Sequence, residues 1–384
     1  MSATSSAMRR FAFGLGILAP LVLTPLLLAA VACSDLKSAA TPDAGAAAAD
    51  PDGGGPADLG DGGSTTTTDG GGVKVTVDTL VTGRNRLGAR SIVSFRPWRS
   101  GIAASNGQVY WVESGTSPGL YSASGTTACT TASCVKTIAT LARPSAFTAS
   151  ATHVYVADIT VIKRFPFGST TAETVVSSNM EVDNLATAGT RVFWSSGEGS
   201  AMNATVIGGA TNTPINSNGT PVSTAVAGDQ LFWAGVDISG QNGAMQAIST
   251  NGSGAHEVNR FSAGFHTMGG NATFLYYAKD DPGSIHRITL NSGHDETLDK
   301  DALGVTDFAI DDTHAYWTEP GDGDFTNGRV RRIAHDSTTV ETLAVGVTLP
   351  VAIAVSGKTV FVASAGTKGA AYADGKILRL TLAE

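Results

Sequence analysis

A short aromatic motif recurs seven times along this 384-residue chain and constrains its fold more than any other feature. Each copy has an apolar residue, then Tyr or Phe, then an aromatic residue or valine. The copies are Val109-Tyr110-Trp111, Val154-Tyr155-Val156, Val192-Phe193-Trp194, Leu231-Phe232-Trp233, Leu275-Tyr276-Tyr277, Ala315-Tyr316-Trp317 and Val360-Phe361-Val362. Their central residues are 38 to 45 positions apart. A period of this length is typical of folds that repeat one supersecondary unit.

Each copy has a partner segment at a fixed distance. The residues eight positions before the central aromatics are Ile102, Phe147, Leu185, Thr224, Met268, Phe308 and Ile353. The next residues form a column of small side chains, namely Ala103, Thr148, Ala186, Ala225, Gly269, Ala309 and Ala354. The fixed distance, with turn formers such as Asn106-Gly107 in between, predicts a β-hairpin in each unit. The small residues predict a crowded place where several strands converge.

The rest of each unit also predicts strands. Alternating apolar and charged residues at 285–288, 330–333 and 377–380 indicate a third strand with one buried face. A fourth strand follows in most units, and no segment has a convincing helical period. Four strands per unit predict an all-β fold, a β-propeller of seven four-stranded blades, with six or eight blades as alternatives. A pair of β-sandwiches or a β-solenoid would not explain the repeat length.

The two ends of the repeat region predict how the ring closes. The seventh unit ends just after its third strand, so its outer strand is missing. Residues 77–81 resemble the outer strand at 340–344 but have no unit before them. We therefore predict that residues 73–83 complete the last blade and remove its free edge.

The copy Tyr316-Trp317-Thr318-Glu319, together with residues 283–288 and 328–333, resembles the YWTD-type propellers of lipoprotein receptors and their bacterial relatives. The repeats are also similar to those of NHL-like propellers such as the seven-bladed streptogramin lyases. The resemblance covers about residues 98–384. It implies the propeller fold and assigns no ligand.

The N-terminal residues predict an export signal. Arg9 and Arg10 precede an apolar run at 11–32 that contains two prolines, and a retained membrane helix is the alternative. Residues 28–33, Leu-Ala-Ala-Val-Ala-Cys, resemble a bacterial lipoprotein signal. This resemblance implies that residues 1–32 are a signal peptide and that Cys33 is lipidated. Because the residue directly after Cys33 is Ser34 and not an aspartate, it also implies the outer membrane of a Gram-negative bacterium, on the periplasmic or the surface side.

Residues 33–72 are rich in Ala, Gly, Asp, Thr, Ser and Pro. This composition buries too little apolar surface to offset the entropy of ordering, so we predict a disordered tether. The propeller domain is predicted to span residues 73–384.

The remaining cysteines, Cys129 and Cys134, are separated by four residues. In an exported protein this spacing favours a disulfide. A metal site is the alternative, but two cysteines without a nearby histidine fall short of a zinc site. We expect no metal and no cofactor.

The charge limits the partners. The formal net charge is −8, and no basic patch stands out, which excludes nucleic acid as the expected ligand. We expect a monomer, attached to the membrane through Cys33, that binds an envelope protein or a glycan.

Loops that enter first strands and leave second strands meet at one end of a propeller channel, the default binding face. The candidate ligand residues there are Trp98, Arg99, Glu113, Asp183, His266, Asp307 and Glu319. Trp98 and Arg99 would stack on and clamp an anionic or sugar ligand, and packing at the rim is the structural alternative. The longest loops, at 319–328 and 364–375, are expected to determine specificity.

These observations favour a noncatalytic binding or scaffold module, and no catalytic residue is assigned. The alternative is a lyase or hydrolase with its site at the channel mouth. In that case His266, Asp307 and Glu319 would form an acid–base or metal cluster. A lone histidine in a strand is otherwise structural.

Overall fold

The computed structural model describes residues 57–58, 65–68, 74–89, 101–196, 201–209, 211–216, 219–236, 243–261, 264–280, 283–302 and 304–383. The predicted signal peptide, the lipidation site Cys33 and the candidate residues Trp98 and Arg99 lie outside these ranges.

The described residues form seven antiparallel blades. Three strands precede the first blade, β1 (Ala57–Asp58), β2 (Thr65–Thr68) and β3 (Lys74–Arg84). Blade 1 contains β4 (Ile102–Ser105), β5 (Gln108–Glu113), β6 (Gly119–Ser124) and β7 (Lys136–Thr140). Blade 2 contains β8 (Pro144–Ala149), β9 (His153–Asp158), β10 (Val161–Pro166) and β11 (Glu173–Ser177). Blade 3 contains β12 (Val182–Ala188), β13 (Arg191–Ser196), β14 (Ala201–Val206) and β15 (Asn212–Asn216). Blade 4 contains β16 (Thr220–Ala227), β17 (Gln230–Val236), β18 (Gly243–Ser249) and β19 (His256–Phe261).

The remaining blades repeat this order. Blade 5 contains β20 (Phe265–Gly270), β21 (Phe274–Asp280), β22 (Gly283–Thr289) and β23 (His294–Asp299). Blade 6 contains β24 (Asp307–Ile310), β25 (His314–Glu319), β26 (Gly328–Ala334) and β27 (Val340–Val347). Blade 7 contains β28 (Pro350–Ser356), β29 (Thr359–Ser364) and β30 (Gly375–Ala383). One 3₁₀ helix, Ala132–Cys134, precedes β7 among the described residues.

The ring closes as the sequence predicts. The first strand of each blade contacts the first strand of the next, and β28 of blade 7 contacts β4 of blade 1. The outer strand of blade 7 is β3, which pairs antiparallel with β30 so that Val77 lies opposite Leu380. The seven-bladed propeller, closed by an N-terminal strand, is confirmed.

The hairpin register is the same in all seven blades. The residue eight positions before each central aromatic lies opposite the residue that follows that aromatic, as Ile102 lies opposite Trp111 and Phe308 opposite Trp317. Left-handed turn residues such as Asn106 (φ 51°) and Gly107 (φ 70°) make the tight connection in blade 1. A fixed register therefore accounts for the fixed spacing.

The repeated motif supplies the core of every junction between blades. The described residues form seven apolar clusters, one at each junction. Tyr316 packs in the cluster between blades 6 and 7, whereas Trp317 packs in the cluster between blades 5 and 6. The central aromatics are at most 4% exposed. Since neighbouring strand residues point to opposite faces, two consecutive large side chains bury both faces of a blade.

Strand pairing begins earlier than the predicted boundary at residue 73. β1 pairs in parallel with β27 at the outer edge of blade 6, and β2 pairs antiparallel with β3 at the outer edge of blade 7. Both strands lie within residues 33–72, for which composition predicts a tether. The run Thr65–Thr68 consists of β-branched residues that suit a strand once an edge is available. Composition alone does not reveal that edge.

The predicted disulfide is present. Cys129 and Cys134 are bonded, with their Cα atoms 5.6 Å apart, in the loop between β6 and β7. The Cys129 N–H donates to the Leu80 carbonyl of β3 at 2.6 Å. The bridged loop of blade 1 therefore contacts the strand that closes blade 7. Among the described residues, no helix has the length and apolar content needed to cross a membrane.

Candidate functional site

The loops that enter first strands and leave second strands lie at one end of the channel, which we call the entry face. The structure places Glu113, Asp183, Asp307 and Glu319 at this end of their strands. His266 lies on β20, and its side chain is outside the described part of the structure. The four described carboxylates belong to blades 1, 3 and 6, so they do not form a single cluster.

Glu113 and Glu319 occupy equivalent positions and are both buried. Each accepts a hydrogen bond from the tryptophan two residues earlier, Trp111 Nε1 to Glu113 Oε1 at 2.9 Å and Trp317 Nε1 to Glu319 Oε1 at 2.8 Å. They are only 3% and 1% exposed. In blade 4 the equivalent position is Gly235, and the buried Trp233 Nε1 has no hydrogen-bond partner among the described residues.

Arginines complete both groups, one at Glu113 and two at Glu319. Arg329 Nε donates to Glu319 Oε2 at 2.9 Å. Arg84 Nε donates to Glu113 Oε1 at 2.5 Å, and the guanidinium carbon lies 5.7 Å from the centre of the Trp111 ring. Arg331 Nη1 lies 3.1 Å from Glu319 Oε1, and its guanidinium carbon is 5.6 Å from the Trp317 ring. The pairing combines a charge-assisted hydrogen bond with a cation–π contact.

Two of these arginines connect neighbouring blades. Arg84 belongs to β3 in blade 7 and binds Glu113 in blade 1. Arg331 of blade 6 also binds Asp299 Oδ2 at 2.6 Å, at the end of blade 5. The carboxylates of Glu113 and Glu319 are therefore engaged in holding blade junctions together.

The entry residues of blades 3 and 6 have a similar place in the fold. Asp307 Oδ2 accepts the Ile353 N–H of blade 7 at 3.0 Å, and Asp307 is 6% exposed. Asn184 Nδ2 donates to the Pro221 carbonyl of blade 4 at 3.0 Å. Asp183 is 2% exposed and lies where the β12 register shifts, as in a β-bulge. Each of these side chains is buried where the first strands of two neighbouring blades meet.

In each long loop of the entry face, a side-chain oxygen near the end of the loop accepts a backbone N–H from its start, and we call this contact a bracket. A Cβ at Gly321 would lie 2.2 Å from Asn327 Oδ1, and one at Gly366 would lie 2.1 Å from Asp374 Oδ1. In blade 6 the Asp322 N–H donates to Asn327 Oδ1 at 3.0 Å. The glycines are required here because any side chain would occupy the acceptor's place.

The bracket of blade 7 is stronger because its acceptor is a carboxylate. The Thr367 N–H donates to Asp374 Oδ1 and the Thr367 hydroxyl to Oδ2, each at 2.8 Å. Burial by itself raises the pKa of Asp374, but the hydrogen bonds from Thr367 outweigh it and lower the pKa below its ordinary value. The loop base is therefore held by an ionised aspartate.

Strained backbone is concentrated at the same face. Of the seven described non-glycine residues with left-handed φ, only Asn106 lies at the opposite end of a blade. The other six, at the entry face, are Arg86, Ile159, Phe325, Leu349, Ala371 and Tyr372. Such conformations cost about 1–3 kcal/mol each and persist only where the surroundings fix them.

Backbone hydrogen bonds join the loops of three blades into one surface. Leu349 N–H donates to the Phe325 carbonyl at 2.7 Å, and Ala365 N–H donates to the Leu349 carbonyl at 2.9 Å. Arg86 N–H donates to the Tyr372 carbonyl at 2.9 Å. We call this surface, formed by residues 84–89, 113–119, 319–328 and 364–375, the blade 6–7–1 rim. It contains both loops that the sequence singles out for specificity.

A second polar group lies between blades 4 and 5, and no sequence motif singles it out. His286 lies between Ser284 and Asp295, with 3.0 Å from Nε2 to the Ser284 hydroxyl and 3.5 Å from Nδ1 to Asp295 Oδ1. Asn259 of blade 4 and the Tyr277 hydroxyl bind Asp295 Oδ2 at 3.0 and 2.6 Å. Burial raises the pKa of Asp295, but hydrogen bonds from His286 and Tyr277 outweigh it and lower the pKa.

The order of these side chains is that of a serine nucleophile, its base and an orienting carboxylate. Ser284, however, is 4% exposed and lies within β22. Because a nucleophile must reach its substrate, we assign this group to the blade 4–5 junction. Among the described residues, no set of three or more His, Cys, Asp or Glu side chains is placed to hold a metal ion.

Comparison with known proteins supports the fold. No protein-family model matches the sequence, and no curated protein matches it. The WD40 β-propeller domain of Doa1 is 11% identical, with 80% of this chain and 97% of that chain covered and a TM-score of 0.55. A chain of the mitotic checkpoint complex is 14% identical, with 78% and 92% covered and a TM-score of 0.57. These similarities show a β-propeller.

A chain of a nidogen/laminin complex is 17% identical, with 56% of this chain and 86% of that chain covered. Its TM-score of 0.45 is too low to bear on the fold. The YWTD type predicted from Tyr316-Trp317-Thr318-Glu319 therefore stays a prediction.

Proposed function

We propose that the chain is a noncatalytic binding or scaffold module of the bacterial cell envelope, anchored in the outer membrane through lipidated Cys33. Its blade 6–7–1 rim binds an envelope protein or a glycan, with a protein favoured. The observation that carries this proposal is the set of hydrogen bonds that order the rim. Its two long loops are closed by brackets and joined by backbone hydrogen bonds. Binding through preordered loops avoids the entropy cost of ordering them.

Two further observations support this proposal. Glu113, Asp307 and Glu319 are used in contacts within the fold, which leaves them poorly suited to acid–base chemistry. One similar structure is a chain of a multiprotein assembly, the mitotic checkpoint complex. The alternative, a lyase or hydrolase at the channel mouth, predicts an activity that Glu319→Ala abolishes without lowering the melting temperature.

In-cell crosslinking tests the binding function. The full-length protein is compared with a variant in which residues 320–327 are replaced by a two-residue turn like Ile159-Thr160 of blade 2. A partner captured by the wild type and lost in the variant supports the proposal, provided that both proteins melt at similar temperatures. Equal capture by both would contradict it.

Fractionation tests the anchor. Wild type is expected in the outer-membrane fraction, and Cys33→Ser is expected to remain soluble or to keep its signal peptide. Ser34→Ala is a matched control that leaves the cysteine in place. The same fractionation and mass for wild type and Cys33→Ser would refute lipid anchoring at Cys33.

A further inference from the structure

We propose that the tip of the 319–328 loop docks a cationic segment of the partner protein, with an arginine or lysine over the Phe325 ring and between the carboxylates of Asp322 and Asp324. This inference rests on the proposed function, because it names the chemistry recognised by one part of the blade 6–7–1 rim.

Phe325 is unusual in its exposure. Among the large apolar side chains that the structure describes, only Met180, Val206 and Phe325 are exposed. Phe325 is 38% exposed and is the only one of these three in a left-handed conformation, with a φ of 55°. Phe325 belongs to none of the seven apolar clusters, so packing in the core does not offset the free-energy cost of its strained conformation.

The backbone presents Phe325 in one fixed position. Its N–H donates to the Asp322 carbonyl at 2.7 Å, and its own carbonyl accepts the Leu349 N–H at 2.7 Å. The bracket formed by Asn327 closes the base of the same loop. Leu349 also has a left-handed φ, of 40°, so the hydrogen bond to the Phe325 carbonyl comes from a second strained residue. Rigid aromatic side chains lose little entropy on binding, which is why they serve as anchors in interfaces.

The charges around Phe325 indicate what approaches it. Asp322 and Asp324 are exposed residues on the same loop, and neither forms an ion pair with another described side chain. An aromatic face attracts a cation through its quadrupole, and two nearby carboxylates add Coulomb attraction. An arginine suits this tip best, because its planar guanidinium stacks on a ring while its N–H groups donate to carboxylates.

A peptide titration tests the docking. The probes are fluorescein-labelled Arg-Leu-Arg-Leu-Arg and the matched Glu-Leu-Glu-Leu-Glu, and their fluorescence anisotropy is measured with the purified full-length protein in detergent. We expect the arginine probe to bind and the glutamate probe not to bind. Phe325→Ala is expected to weaken binding about three- to fivefold, the size of an exposed cation–π contact. The double variant Asp322→Asn, Asp324→Asn is expected to weaken it at least threefold and to reduce its salt dependence.

Two controls and one further variant separate docking from general effects. Val206→Ala removes another exposed apolar side chain, at the end of β14. Asp336→Asn removes an exposed charge after β26, at the opposite end of blade 6 from Phe325. Both are expected to bind like the wild type. Phe325→Gly is expected to raise the melting temperature, because glycine adopts left-handed φ without strain, and to weaken binding as much as Phe325→Ala.

Four results would overturn the proposal. Three are equal binding of both probes, unchanged binding by Phe325→Ala, and the same loss with Asp336→Asn as with the aspartate pair. The fourth is loss of arginine-probe binding in 1 mM calcium at constant ionic strength, which would make the aspartates a metal site. If instead the variant lacking residues 320–327 still captured its partner in cells, the proposed function itself would fail, whatever the peptide results.

Discussion

Glu319 is buried at the end of β25, and its carboxylate accepts hydrogen bonds from Trp317 and Arg331. Its position at the end of a second strand followed from the repeat, and the structure confirms that position. Its burial against Trp317 and Arg331 did not follow, because it depends on which side chains meet across strands. For Glu113 the partner Arg84 is 29 residues away on another blade, beyond any local pattern. Local spacing predicts the position of a residue within its strand. The contacts of its side chain depend on packing between strands and blades.

We predict that Glu319→Gln lowers the free energy of unfolding by about 1.5–3 kcal/mol, the range for hydrogen bonds to charged groups. The amide still accepts from Trp317 but no longer balances the charges of Arg329 and of the largely buried Arg331, which keeps Asp299 as a carboxylate partner. Urea denaturation measures the effect. Glu173→Gln is the matched control, since the Arg164–Glu173 pair is exposed and is expected to contribute less than about 1 kcal/mol. Equal stabilities of the two variants would contradict the structural role of Glu319.

Asp311 is expected to cause part of the loss of folding stability at acid pH. Burial raises the pKa of this carboxyl, but hydrogen bonds from the Thr313 and His314 N–H groups outweigh it and lower the pKa below its ordinary value. A pKa lowered by folding means that the carboxylate stabilises the fold above about pH 4 and that this stabilisation is lost as the pH falls below it. We expect Asp311→Asn to lose less stability than wild type between pH 5 and pH 3 in denaturant titrations. Identical pH profiles would refute this assignment.

At the scale of elements, the sequence predicted the hairpins and the closing strand β3, but not the strands β1 and β2. The eight-residue spacing reflects a register that all seven blades share, so one pattern determined seven hairpins. The strands β1 and β2 were missed because a polar, threonine-rich segment forms a strand only where an edge already exists. The brackets of the long loops were also missed. Their signal is a glycine five positions after the central aromatic, present as Gly115, Gly321 and Gly366.

The disulfide loop is expected to secure the closing strand. Besides the Cys129 bond to Leu80, Arg379 of β30 donates to the Thr126 carbonyl at 2.5 Å and to Asp78 Oδ2 at 2.7 Å. A loop this short contributes only about 2 kcal/mol by chain entropy, so its effect should be local. We predict that Cys129→Ser with Cys134→Ser speeds hydrogen exchange of residues 78–82 more than that of blade 4. Uniform or unchanged hydrogen exchange would contradict the proposed role of the disulfide loop in securing β3.

At the scale of the whole molecule, the ring depends on a strand from its own N-terminal side. Deleting residues 73–83 removes Val75, Val77, Leu80 and Val81 from the core, each at most 2% exposed, and leaves the outer edge of β30 free. Free edges pair with other chains. Because the deletion also uncovers the apolar core, we predict aggregation, measured by light scattering. A chain starting at residue 73 loses β2 but keeps these core side chains, and it should stay soluble. A soluble deletion variant as stable as its control would refute the closure.

The central claim is that the blade 6–7–1 rim holds an envelope partner, and site-specific photocrosslinking in cells tests it most directly. A photoreactive residue is placed at Phe325 or Tyr372 on the rim, and at Val206 or Asp336 at the opposite end. The account predicts one discrete adduct, of the same partner, from the two rim positions and none from the other two. No adduct from the rim, or the same adduct from both ends, would contradict it.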